Sequence, residues 1–120
     1  MPKSVALLIF IVYLAALTFL SLFSIGDIST LGTEFDDKLN HFCAHFLLTI
    51  LAFNYFKLTS VSNVIWICLL TSVSYGIVIE VLQLILTTDR TFDLMDLVAN
   101  FIGAIAAVIA LRLSVYLKLK

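Results

Sequence analysis

Four apolar runs, near residues 4–25, 39–56, 62–86 and 97–115, take up most of this chain and leave only short polar links between them. A helix needs about 20 mostly apolar residues to cross a bilayer, within a range of roughly 17–25. Ser4–Ile25 and Leu39–Phe56 carry no Asp, Glu, Lys or Arg, and the third run is interrupted only by Glu80. The fourth, Leu97–Leu111, continues past Arg112 to Leu117 when the arginine snorkels towards the headgroups. Backbone groups in lipid must pair within their own segment, which at these lengths means helices. A chain of 120 residues that is 62% hydrophobic, with a mean hydropathy of +1.16, also lies outside the composition of soluble domains. The expected fold is all-α: a polytopic membrane protein, a four-transmembrane-helix bundle in which residues 1–120 form a single domain. The first run exceeds the roughly 7–15 apolar residues of a signal sequence, and no small-residue cleavage pattern follows it at Ser24-Ile25-Gly26-Asp27. It is expected to be a retained helix. Pro2 is the only proline, so no helix carries a proline kink.

The charges sort by side. With four spans, seven of the eight acidic residues (Asp27, Glu34, Asp36, Asp37, Asp89, Asp93, Asp96) fall at the two links on one side, and Glu80 lies in the part of its helix nearest to them. Lys3, Lys57, Arg112, Lys118 and Lys120 fall on the other side, against Lys38 and Arg90 on the acidic one. The positive-inside rule then places both termini in the cytoplasm and the acidic links outside. Gly26–Asp36 reads as an outer loop at headgroup level, Leu58–Asn63 as an inner turn and Thr87–Phe92 as an outer turn, with Asp93 positioned to cap the fourth helix. Links this short make consecutive helices antiparallel neighbours. Cys43 and Cys68 differ in depth by about 15–20 Å, too far for a disulfide, and lack metal-motif spacing. They read as small packed side chains.

Three helices each direct a polar stripe towards that acidic end. Asp37, His41 and His45 follow i, i+4, i+8 spacing, which places them on one helical face. Gly76, Glu80 and Gln83 share a face of the third helix, and Asp93, Asp96, Asn100, Gly103 and Ala107 share one of the fourth. Lipid penalises such groups, so the stripes must face one another or a water-filled cleft. Glu80 lies roughly 9 Å below the outer end of its helix, where a carboxylate costs a few kcal/mol unless it is paired or protonated. Lys38, Arg90, His41 and Gln83 are its candidate partners. The same burial suits either a register-fixing ion-pair cluster or a binding group.

His41 and His45 have the i, i+4 spacing of zinc-binding pairs, and Glu80 or Asp96 could complete a tetrahedron. Phe42, however, stands where HExxH would place its glutamate. Hydrogen-bonded histidines, with no metal, are the favoured reading; proton relay is the other role open to them. Lys38 and Arg90 read as partners for the surrounding acids, or as a clamp for a phosphate or carboxylate. Gly103 and Ala107 form a small-xxx-small pair that permits close helix contact. Phe10, Tyr13, Phe19, Phe23, Phe53, Tyr55, Phe56 and Trp66 read as lipid-facing or packing residues. The segments Asp37–Phe42 and Asp96–Phe101 echo each other (an acid, a polar residue four later, then Phe), a pattern compatible with a two-helix duplication.

Taken together, Asp37-Lys38-x-x-His41, Gly76-x-x-x-Glu80-x-x-Gln83 and Arg90-x-x-Asp93-x-x-Asp96-x-x-x-Asn100-x-x-Gly103 resemble the VanZ-like family of small bacterial membrane proteins. The resemblance spans Asp37 to about Ala107; the first helix fits by position and hydropathy. His45 departs from the pattern, since relatives usually carry an aromatic there. The resemblance implies a multi-pass protein of the bacterial inner membrane. The family is named for a member associated with low-level teicoplanin resistance, which suggests a link to envelope homeostasis or glycopeptide resistance without supplying catalytic roles. With His45 added from its stripe, the candidate ligand-binding site is Asp37, Lys38, His41, His45, Glu80, Gln83, Arg90, Asp93, Asp96 and Asn100.

Three functional classes fit these residues. The first is an outward-facing polar cleft that binds an envelope lipid, a lipid-linked cell-wall precursor headgroup or another membrane protein. The second is a structural scaffold whose polar residues only lock the bundle. The third is an enzyme acting on a lipid-linked substrate, with His41 or Glu80 as acid/base and Arg90 as anion stabiliser. With no nucleophile motif, P-loop or convincing metal set, binding ranks first and catalysis last of the three. Transport ranks lower still, because four helices would have to oligomerise to provide a pathway. Membrane lipids are the expected surroundings; no cofactor or nucleic-acid partner is expected, and the residues leave the oligomeric state open.

Overall fold

The computed structural model describes residues 1–22, 34–86 and 94–119, with side chains for all of these except 34–36 and 119. They form four helices: α1 (Lys3–Leu22), α2 (Glu34–Phe56), α3 (Val64–Leu86) and α4 (Leu94–Leu119). Each contains a stretch long and apolar enough to cross a membrane. This is the all-α, four-span architecture expected from the apolar runs. Residues 26–33 of the expected outer loop and the turn at 87–92, with Arg90, lie outside the described residues, as does the expected cap Asp93.

Two helices begin earlier than their apolar runs. α2 starts at Glu34, ahead of Leu39, and α4 at Leu94, ahead of Leu97. Both lead-ins are acidic, Glu34-Phe35-Asp36-Asp37 in α2 and Asp96 in the first turn of α4. Carboxylates are stabilised near the positive end of the helix dipole, so the helix extends into polar sequence that hydropathy alone assigns to the link. At the opposite end, the N–H groups of Lys57, Leu58 and Thr59 donate to the carbonyls of Phe53, Tyr55 and Phe56, which closes α2. Asn63 then takes a left-handed conformation (φ 56°), which asparagine tolerates better than most residues, and its carbonyl accepts the N–H of Ile67 at the start of α3.

Consecutive helices pack against one another as expected, yet the most extensive interface joins α2 to α4. Lys38 meets Asp96 and His41 meets Asn100, so contacts advance in the same direction along both helices and the pair is parallel. α1 packs on α2 and α3; among the described residues it makes no interface with α4. The close approach of α4 to α2 depends on Gly103, where a Cβ would overlap the carbonyl oxygen of Phe42. Ala104 and Ala107, fully buried, continue the contact.

The interior divides into two parts. Phe10, Leu48, Ala52 and Cys68 form an apolar cluster between α1, α2 and α3, with the Phe10 ring against those of Tyr55 and Phe56. Towards the acidic end the interior becomes polar. Most outward surface is apolar, including Leu8, Val12, Trp66, Leu70, Ile85 and Ile109, as lipid rather than water would require. Both cysteines are free; Cys68 is buried, as a packed side chain would be, whereas Cys43 is exposed and does not fit that reading.

Gly103→Ala should lower stability by about 1–3 kcal/mol, because only a backbone shift relieves the overlap with Phe42. Gly76→Ala, whose Cβ would meet only side-chain atoms of Asn100 and His45 at 3.0 and 3.1 Å, should be milder. Unfolding of both variants in mixed micelles measures the difference.

Candidate functional site

The first two turns of α2 and α4 run side by side, and their polar residues pair across the interface in sequence order. Lys38 Nζ donates to Asp96 Oδ1 and lies 3.6 Å from Asp37 Oδ2. His41 Nε2 lies 3.4 Å from Asp96 Oδ2 and 3.8 Å from Asp37 Oδ1. On the other side of the ring, His41 Nδ1 is 3.1 Å from Asn100 Oδ1. The ring thus bridges the Asn100 amide on one side and the two carboxylates on the other. Asp96 is 8% exposed and Asn100 2%, whereas Asp37 lies on the exposed rim. Among the described residues the cluster is therefore open at Asp37 and closed at Asp96 and Asn100.

α3 completes the interior with a buried face of Ser72, Gly76, Glu80 and Gln83. His45 Nδ1 lies 3.0 Å from Ser72 Oγ, and Thr49 Oγ1 donates to the His45 carbonyl at 2.8 Å. Gly76 lets α3 approach α4: a Cβ there would sit 3.0 Å from Asn100 Nδ2. Glu80, one turn further along, is 1% exposed. Gln83 Nε2 donates to the carbonyl of Ser21 at 2.8 Å and so ties the end of α3 to α1.

The two histidines face different partners among the described residues. His45 turns to Ser72 on α3, while the described residues that could share a cation are Asp37, His41 and Asp96, whose ligand atoms lie within 4.8 Å of one another. The ammonium of Lys38 already lies against both carboxylates of that group.

Beside the cluster, a groove of about 270 Å³ opens between α3 and α4. Val73, Gly76, Ile77, Leu97, Val98 and Phe101 line it, and Asn100 is the only polar side chain among the described lining residues. Asn100 Nδ2 is buried and has no acceptor among the described residues. A buried amide donor in that condition costs about 1–3 kcal/mol.

Of the ten candidates from the sequence, Asp37, Lys38, His41, Asp96 and Asn100 form one contact network, and His45, Glu80 and Gln83 occupy the adjoining buried faces. Arg90 and Asp93 lie outside the described residues. Ser72 was not among the candidates; it stands four residues before Gly76, so extending the α3 stripe by one turn finds it. Tyr13, read as a lipid-facing or packing residue, also has a polar role, with its hydroxyl donating to the carbonyl of Ala44 at 2.7 Å.

Four spans with a partly buried mixed-charge cluster at one end define a polytopic α-helical membrane protein with a polar site between its helices. Within that class the chain belongs to the VanZ/LLP1 family, whose pattern it matches over residues 7–115. The match takes in most of α1, the helix whose resemblance rested on position and hydropathy. No curated protein and no solved structure matches the chain.

Removing either partner of the Lys38–Asp96 pair leaves the other charge without its closest contact. Lys38→Met and Asp96→Asn should each lower stability by about 1.5–3 kcal/mol. The double variant should lose less than the sum of the two, which a double-mutant cycle of detergent unfolding measures.

Proposed function

We propose that this protein binds the headgroup of an amphiphile, an envelope lipid or lipid-linked cell-wall precursor, in a polar cleft at the acidic end of the bundle. One observation carries the reading: a cluster with both charge signs adjoins an apolar groove on the flank of α3 and α4, with Asn100 common to both. A headgroup bearing phosphate or amide groups suits Lys38, His41 and the Asn100 donor. A hydrocarbon chain suits Val73, Ile77, Leu97, Val98 and Phe101. Arg90, by sequence near this end, would add a second cation.

On this reading the cleft faces away from the cytoplasm of a bacterial inner membrane, both termini lie inside, and envelope homeostasis or glycopeptide tolerance is the phenotype to examine. A terminal alkaline phosphatase fusion should then be inactive and one inserted at 87–93 active. The opposite pattern would reverse the cleft.

The scaffold reading draws on a different observation, the direct pairing of α2 with α4 through Lys38–Asp96 and His41–Asn100. Native mass spectrometry of gently extracted protein separates the two. A lipid or precursor should accompany the wild type and be absent from folded Glu80→Gln and Asn100→Ala variants. If wild type and variants are all bare and the variants are merely less stable, the residues serve the bundle alone.

A further inference from the structure

A second groove lies at the opposite end of the molecule, where the sequence has no acidic side chain. It measures about 390 Å³ and is lined by Phe53 of α2, Ile65 of α3, and Leu111, Arg112, Val115 and Tyr116 of α4. Its size falls within the roughly 300–1,000 Å³ of small-molecule sites. Among the described residues that line it, Arg112 is the only charged one. A second cation stands at its edge: Lys57 Nζ lies 5.7 Å from the centroid of the Phe53 ring, one of the groove's walls.

Arg112 interrupts an otherwise apolar stretch, Leu111-Arg112-Leu113, and precedes Lys118 by six residues or about 9 Å of helix. A guanidinium set back from the headgroups needs an anion or a path to water. The protein offers no carboxylate side chain here, because no Asp or Glu lies between Asp37 and Glu80 or after Asp96. A lipid phosphate supplies the missing charge and takes two parallel N–H donors from a guanidinium. The groove's apolar walls lie within the membrane-spanning stretches of α2, α3 and α4, where an acyl chain can follow them.

We infer that this groove is a binding site for one anionic glycerophospholipid, with the phosphate held by Arg112 and Lys57 and an acyl chain laid against Phe53, Ile65, Leu111 and Val115. The site is independent of the polar cleft, lies at the other end of the bundle and takes its lipid from the other leaflet. Juxtamembrane cations attract anionic lipids in this way, and here a groove adds a place for the chain.

The test uses full-length protein, delipidated in mild detergent and titrated with phosphatidylglycerol or with phosphatidylcholine of the same chains, read by native mass spectrometry. The wild type should retain one phosphatidylglycerol in preference to phosphatidylcholine. Arg112→Gln and Lys57→Gln should each weaken that binding about five-fold, the effect of one interfacial cation. Val115→Trp, which fills the groove and keeps every charge, should also displace the lipid, whereas Lys3→Gln should not. Lys57 is exposed in the α2–α3 link, so its variant reports on binding even if Arg112→Gln folds poorly. Glu80→Gln and Asn100→Ala should leave this adduct intact, which separates it from any ligand of the polar cleft. Equal retention of the two lipids by the wild type would overturn the assignment. So would undiminished phosphatidylglycerol binding in Lys57→Gln and Val115→Trp.

Discussion

Hydrocarbon offers no partner to a polar group, so each one carried into the membrane must find its complement within the protein. Much of the arrangement follows from that constraint. Lys38, His41 and His45 on α2, Ser72, Glu80 and Gln83 on α3, and Asp96 and Asn100 on α4 would each be costly facing lipid. Turned inward, they meet as Lys38–Asp96, His41–Asn100 and His45–Ser72, and these contacts fix the relative rotation of three helices. Packing of small residues then fixes the distance between them. Gly103 lies against the Phe42 carbonyl and Gly76 against Asn100, so the helices come close enough for the polar groups to meet.

α1 contributes differently. It adds Ala6 and Phe10 to the interior and is tied to its neighbours by single hydrogen bonds: Tyr13 to the Ala44 carbonyl, Thr18 to the Tyr75 hydroxyl, and Gln83 to the Ser21 carbonyl. Those bonds fall in its second half and supplement an otherwise apolar contact with α2 and α3. The result is an uneven bundle, with a dry half around Phe10, Leu48, Ala52 and Cys68 and a wetter half where α2 and α4 run together.

The number of helices and their approximate extents were legible in the sequence because hydropathy reads the lipid boundary directly. The early starts of α2 and α4 were not, since Glu34, Asp36 and Asp37 look like loop to a hydropathy scale and like a favourable first turn to a helix dipole. The inward stripes were legible from i, i+4 spacing, and so was most of the polar network. Ser72 escaped because a lone serine in an apolar helix is common; only its register with Gly76 and Glu80 marks it out. The dominance of the α2–α4 pair was also hidden. Link length speaks for consecutive helices, whereas this contact is set by Gly103 and by charges from distant parts of the chain. The echo between Asp37–Phe42 and Asp96–Phe101 was its trace, because the two echoing segments are the ones that lie side by side.

A parallel pair of helices brings two like dipole ends together. The amino-terminal ends of α2 and α4 both point to the polar end of the bundle, and each presents roughly half a positive charge there. Asp37 and Asp96 lie within the first turns of those helices and carry the opposite sign. The acids at this end therefore act as counter-ions to the backbone itself as well as to Lys38. Losing either acid would leave two like dipole ends side by side with less opposing charge between them.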